Sequence, residues 1–307
     1  GVTAVSKSAD GQVYAFTDLT FAEKQNVTLI LNGSDMKPLS FGNLIHNNVG
    51  NIVYAGTNQQ IQIFGNHNVP GYDADGKLEN RVNYHQLTVD ANSMAYADAT
   101  LQAATLNVLN DGRLELRNDA NLLVEKLNSY SVDAEGNLTG EFGTVAYVGN
   151  KQIVSTIDTT KDGNALKYGH LEIGGNGDKV AENGLVVKGD LFFSADNELE
   201  IKSTIELGAL RYNAMGTMHY SATGADVQRV LGGSNIAYNN LKISNGDKRL
   251  GDSVAVNGMF EFTQSAGKMI VLDNYELMLN GAITGMNGSV GHYFMVEIGR
   301  ASCRERV

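Results

Sequence analysis

An all-β chain wound as a parallel β-solenoid with inserted hairpins is the fold class that these 307 residues predict. Three observations carry it. One phrase is written three times: Tyr84-His85-Gln86-Leu87-Thr88-Val89, Tyr168-Gly169-His170-Leu171-Glu172-Ile173 and Tyr238-Asn239-Asn240-Leu241-Lys242-Ile243. Apolar residues alternate with polar ones over short runs separated by Gly, Asn and Asp, which is the signature of strand and turn rather than helix. The strands are very short, Trp is absent and the apolar positions are mostly Leu, Ile and Val. A sandwich tends to use longer strands around a bulky aromatic core, so tandem β-sandwich domains stand as the alternative.

In chain order, residues 27–33 form a half-copy that reads like residues 275–281. A Tyr after a Gly-containing turn then opens each full unit, at Gly50…Tyr54, Gly143…Tyr147 and Gly216…Tyr220. The thrice-written phrase follows. Next comes a pair of alternating runs hinged on a small residue: Leu101 to Val108, Val187-Lys188-Gly189-Asp190-Leu191-Phe192-Phe193 and Val256-Asn257-Gly258-Met259-Phe260-Glu261-Phe262. The unit closes on Leu114-Glu115-Leu116, Leu199-Glu200-Ile201 and Leu277-Met278-Leu279. Residues 1–297 therefore read as one continuous array: a partial unit over about 1–49 and units over about 50–142, 143–215 and 216–297.

Spacing between units is uneven, which repeat architectures absorb as loops leaving one face. Tyr72 to Leu78 and Val132 to Leu138 each place acidic residues and Gly between apolar runs, a hairpin-turn signal. In the solenoid Leu87, Val89, Leu171, Ile173, Leu241 and Ile243 point into the core with Phe260, Phe262, Leu277 and Leu279. Thr88, Glu172 and Lys242 then face solvent.

Composition excludes several functions. The formal charge is −11, and a polyanion such as nucleic acid needs a basic footprint that the repeats lack. No stretch is long or apolar enough to span a membrane. Residue 1 is Gly without a signal-peptide pattern, so the natural start is expected to lie elsewhere. Residues 298–307 (Ile298-Gly299-Arg300-Ala301-Ser302-Cys303-Arg304-Glu305-Arg306-Val307) break from the rest and resemble the in-frame translation of a widely used short-read sequencing adapter. They are expected to be non-native. Without them Lys plus Arg falls from 23 to 20 and Asp plus Glu from 34 to 33, a formal charge of −13. The single cysteine, Cys303, goes too. Thiol catalysis, zinc thiolates and disulfides go with it.

Patterns that carry chemistry are weak. The six histidines, His46, His67, His85, His170, His219 and His292, form no metal-binding spacing. Asp73, Asp75 and Gly76, and again Asp133, Glu135 and Asn137, hint at calcium loops but lack the closing Glu; hairpin turns explain them. Asp178-Lys179 and Asp247-Lys248 each follow a Gly at matching places, and unit one has Asn92-Ser93-Met94 there. A carboxylate and cation pair of this kind could serve a polysaccharide-cleaving solenoid, and Tyr84, Tyr168 and Tyr238 could form a sugar-stacking ladder. These five residues, Asp178, Asp247, Tyr84, Tyr168 and Tyr238, are the glycan-site candidates, against the simpler readings of turn and packing. No catalytic residue, cofactor or metal is expected, and the chain reads as no enzyme.

The succession of Gly143, Val145, Tyr147, Gly149 and Gln152, then Tyr168, Leu171 and Ile173, then Gly177-Asp178-Lys179, Val187 to Phe193 and an Asn280-Gly281 close resembles the repeats of very large secreted, adhesin-like surface proteins of Bacteroidetes, commonly exported by the type IX route. Unit three departs from the opening motif at Ser221 to Asp226. The resemblance spans roughly residues 22–296 and implies a secreted or cell-surface β-solenoid stalk, associated with the outer membrane. It implies a structural or adhesive role, with surface glycans or host and matrix proteins as partners beside neighbouring repeats of the same chain. The alternative is a glycan-binding or polysaccharide-cleaving solenoid. The resemblance brings no catalytic residues.

Overall fold

The computed structural model describes residues 2–4, 15–21, 27–33, 40–45, 49–63, 84–156, 165–224, 226–263, 266–271, 275–285 and 294–296. Among them there is no α-helix. Parallel sheets stack as a β-solenoid of about 10 turns, which replaces the sandwich alternative. Each turn carries three short strand segments. From Asn240–Ile243, for instance, the chain passes through Gly246–Leu250 and Val254–Val256 and then returns one layer higher at Phe260–Phe262.

Alternation fixes which side chains enter the core. Val145, Leu171 and Leu191 lie in register on successive turns, and Tyr147, Ile173 and Phe193 form the next column. All six are 0% exposed. On the later turns Met218, Leu241 and Phe260 stack the same way beside Tyr220, Ile243 and Phe262. Burying each such side chain contributes roughly 1.5–3 kcal/mol. A one-residue slip would turn every one of them to the outside, so the stack has a single register.

Eight of the ten expected core residues are fully buried: Leu87, Val89, Leu171, Ile173, Leu241, Ile243, Phe260 and Phe262. Leu277 and Leu279 are only partly buried against the core, a correction with a structural cause. The closing strand Arg113–Leu116 lies under the opening strand Thr144–Tyr147, and Glu198–Ile201 lies under Thr217–Tyr220. The third strand in that relation is Ala266–Val271, under Phe294–Val296. Leu277–Leu279 instead sits above Val254–Val256 on another face.

The repeat unit is not a whole number of turns. From Asn51–Tyr54 the same sheet is revisited at Gln86 to Val89, Thr105 to Val108 and Lys126 to Asn128 before the next opening strand, Thr144–Tyr147, takes its place in a second sheet. Thr144–Tyr147 is followed likewise by three returns before Thr217–Tyr220 opens in a third sheet. Each unit thus advances by three turns and one face, and the three opening strands look out from three different sides.

The hairpin expected near Val132 is present, Tyr130–Val132 pairing antiparallel with Leu138–Phe142. Its turn is closed by the Asp133 carboxylate, which accepts from the Glu135 and Asn137 backbone N–H groups at 3.0 and 2.7 Å. Turn formation thus engages the carboxylate that hinted at calcium. The hairpin at residues 72–78 and the tail 298–307 lie outside the described residues. At the expected hinge Gly189, a Cβ would fall 2.6 Å from His170 Nδ1 and 2.9 Å from the Gly169 carbonyl, so any larger residue would push adjacent turns apart.

Candidate functional site

The three candidate tyrosines lie inside the stack. Tyr84, Tyr168 and Tyr238 are at most 2% exposed and offer no ring face to a sugar. Each pairs with the Tyr that opens its unit. The hydroxyl–hydroxyl distances are 3.2 Å for Tyr54 and Tyr84, 3.1 Å for Tyr147 and Tyr168, and 2.9 Å for Tyr220 and Tyr238.

Hydrogen-bond direction follows from counting protons. Tyr84 donates to the Gln62 carbonyl at 2.7 Å, Tyr168 to Ser155 at 2.5 Å and Tyr238 to Leu231 at 2.7 Å. Their single O–H is then used, so Tyr54, Tyr147 and Tyr220 must be the donors within the pairs. These three accept in turn from the backbone N–H of Gln62, Ser155 and Leu231. Each tyrosine pair therefore clamps both the N–H and the C=O of one residue, satisfying groups that the ladder leaves free. Burial raises the pKa of all six phenols, that of Tyr220 to about 12.

The Gly-Asp-Lys motifs are corner plugs. Lys179 and Lys248 are 0% exposed. Lys179 Nζ donates to the carbonyls of Gly149, Asn150, Gly174 and Gly177, and Lys248 Nζ to those of Ala222, Asn245 and Gly246. Directly beneath them in register lie Gln152 and Gln228. Gln152 accepts from Gly149 N–H and donates to Leu116 and Ala120, while Gln228 accepts from Ala222 N–H and donates to Ile201 and Ser203. Gln59 does the same in unit one, with Gly56 N–H and the Leu31 carbonyl. Burial lowers the pKa of both lysines to about 8, against the pull of the neighbouring Asp178 and Asp247. Those two aspartates cap the next turn: Asp178 accepts from Glu198 N–H and Asp247 from Lys268 N–H, both at 2.9 Å. Their observed role is that of turn residues.

Outward side chains form ladders. Thr88, Glu172 and Lys242 do point away from the core, yet Thr88 is 5% and Glu172 4% exposed, correcting the expectation that they face open solvent. Their neighbours cover them. Thr88 donates to Asn51 and accepts from Asn107; Glu172 pairs with Arg113 and accepts from Ser194; Lys242 pairs with Glu198 at 3.0 Å. The last two pairs are equivalent with signs exchanged. Arg113 and Glu172 bridge across the turn that carries Ala146, and Glu198 and Lys242 bridge across the turn that carries His219.

His219 is also held from both sides, its Nδ1 by Glu198 and its Nε2 by Ser244 at 2.6 Å. Burial works against the Glu198 charge, but the hydrogen bonds from His219 and Lys242, with the Lys242 charge, prevail and hold its carboxyl below the usual range. Sequence spacing misses this cluster because its members come from three successive turns. It misses Gln228 because unit three places three extra residues between Ala222 and its glutamine. A fixed residue type at a variable offset from the opening Tyr is the available signal. Among the described residues no group of three His, Cys, Asp or Glu is placed to hold a metal ion, and no helix is long and apolar enough to cross a membrane.

No protein family, curated protein or solved structure matches this chain.

Proposed function

We propose that the chain is a structural or adhesive segment of a large secreted or cell-surface protein, akin to the outer-membrane-associated adhesins of Bacteroidetes that its repeats resemble, acting as a stalk or extended contact surface. The contrast between inside and outside carries this reading. What recurs from unit to unit is internal: the tyrosine clamps, the glutamine and lysine plugs and the apolar columns. At equivalent outward positions the residues are Thr88, Glu172 and Lys242, which share no ligand chemistry. Repetition that preserves the stack while varying its surface suits a scaffold. In that role the chain performs no chemistry, and its partners are surface glycans or host and matrix proteins.

The test is binding by the purified chain, immobilised at several densities, to a panel of glycans and matrix proteins, with an unrelated solenoid as control. Saturable binding lost when outward residues are changed supports adhesion. Absence of binding, with the chain protected from protease on intact cells, would place it inside the cell and overturn the reading. The polysaccharide-cleaving alternative draws no support from Asp178 or Asp247, whose carboxylates cap backbone.

A further inference from the structure

Glu198, His219 and Ser244 stand on three consecutive turns of one sheet, brought together by parallel register: Glu200 lies under His219 and His219 under Lys242. The contacts have a definite polarity. The carboxylate meets Nδ1 of the imidazole and the serine hydroxyl meets Nε2 at 2.6 Å. A carboxylate on Nδ1 fixes the proton there and leaves Nε2 as the acceptor facing the hydroxyl. Nucleophile, base and orienting group within hydrogen-bond reach are the geometric requirement for an activated serine.

The equivalent positions one unit earlier lack it, with Arg113, Ala146 and Gly174 standing where Glu198, His219 and Ser244 stand. The cluster therefore exceeds what the stack needs. Glu198 is anchored a second time by Lys242 at 3.0 Å. Ser221, on the His219 turn, gives its hydroxyl to Glu200 at 2.6 Å and leaves Ser244 as the only hydroxyl bonded to the imidazole among the described contacts. The side chains of Glu198 and Lys242 are 23% and 24% exposed, while Ser244 and His219 beside them are 5% and 8% exposed. Ser244 follows the strand Asn240–Ile243 directly, just before Asn245 and Gly246 turn the chain with φ of 52° and 64°.

We propose that Ser244 is a nucleophilic serine activated by His219 and oriented by Glu198, able to take an acyl group from a small carboxylic ester that reaches it beside Glu198 and Lys242. This goes beyond the scaffold role and does not depend on it. Ser244 Oγ forms a bond to the acyl carbon as its proton passes to His219 Nε2. The ester C–O bond breaks, and the departing alcohol oxygen takes that proton. Water then repeats the sequence against the acyl-serine, releasing the carboxylic acid and restoring both groups. Lys242 holds Glu198 and takes no proton. The small exposure of Ser244, 5%, limits the substrate to a short acyl group.

The full chain is incubated with p-nitrophenyl acetate and, separately, with a fluorophosphonate, and the modified residue is located by peptide mass spectrometry. The expected result is modification of Ser244. His219→Gln should slow it at least about 100-fold, as removing a general base does. Ser221→Ala should label like the parent. If Ser244 is not modified, or if His219→Gln reacts at the parent rate, the cluster is a structural ladder and the proposal fails. Should His219→Gln melt early, Glu198→Gln decides in its place, labelling of Ser244 at the parent rate overturning the proposal.

Discussion

Tyr220 and Tyr238 stand with their hydroxyls 2.9 Å apart and share the backbone of a single residue, Leu231, whose N–H the first accepts and whose carbonyl the second engages. The bond from Tyr220 to Tyr238 makes the two clamping contacts one unit. Tyr238→Phe removes the acceptor for Tyr220 and the donor for Leu231 together. The expected cost is about 1–3 kcal/mol for the buried groups left unpaired, read from urea unfolding. The double change with Tyr220→Phe should cost less than the sum of the single changes, because once Tyr238 is lost Tyr220 has already lost its partner.

The same pairs govern the alkaline limit. Burial raises the Tyr220 pKa from 10.0 to about 12. The folded state therefore keeps a proton that the unfolded chain gives up first. The stability this contributes is fully present below pH 10 and is lost as pH climbs towards about 12, at roughly 1.4 kcal/mol per pH unit across that interval. Absorbance at the tyrosinate band should show the clamped phenols ionising only together with loss of β-structure by circular dichroism. Ionisation of all the tyrosines as a single exposed class, with the fold intact, would contradict the burial.

Lys179 supplies the opposite dependence on pH. Its folded pKa is depressed from 10.5 to about 8, so the folded state sheds the proton first. Its contribution to stability rises as pH climbs from about 8 towards 10.5. Lys179→Met leaves the Gly149, Asn150, Gly174 and Gly177 carbonyls without their shared donor and should cost about 2–4 kcal/mol. The gap in melting temperature between parent and variant should widen between pH 7 and pH 9.5. A constant gap would mean that the amine holds its proton in both states.

Much of this architecture is legible in the sequence because the core of a parallel stack is written locally. Leu171 and Ile173 read as inward from their alternation with Glu172, and the register between turns follows from keeping such pairs in columns. What spacing does not give are contacts between turns. Lys179 reads as part of a turn, or as half of a carboxylate and cation pair, because nothing local distinguishes an ammonium inserted among four carbonyls from one in solvent. Glu172 reads as exposed because Arg113, which covers it, lies two turns below. The Leu277–Leu279 strand matches the wrong partners by sequence because each unit advances by one face beyond three full turns, so similar strings recur on different sides.

Core and surface should separate sharply in the phrase around Leu241. Leu241→Asp puts a charge among Met218, Phe260 and the rest of its column, where Leu241 is 0% exposed. A loss of more than about 4 kcal/mol is expected, enough to melt the surrounding turns at room temperature. Lys242→Ala, one residue along, removes a half-exposed ion pair with Glu198 and should cost under about 1 kcal/mol. Scanning calorimetry on the two variants checks both. Equal effects would mean that the strand does not alternate as described.

The inverted ion pairs make the strongest test of the three-turns-and-a-face repeat. Arg113 with Glu172 and Glu198 with Lys242 occupy equivalent places, each bridging one intervening turn, with the cation below in the first and above in the second. Arg113→Glu alone sets a carboxylate against Glu172, whose side chain is 6% exposed, and beside Glu115 at 13%. Loss of the pair and the added repulsion should cost about 2–4 kcal/mol, the lower part of the range reflecting the partial exposure of Arg113. Adding Glu172→Lys rebuilds the pair in the order used by Glu198 and Lys242, with Arg117 still bound to Glu115 at 2.7 Å. The double variant should recover to within about 1 kcal/mol of the parent, a coupling well above that of residues out of contact. Urea unfolding of the four proteins in the cycle gives the coupling directly. Additive effects would show that Arg113 and Glu172 do not meet across the Ala146 turn, and with that contact gone the equivalence of the two units would lose its support.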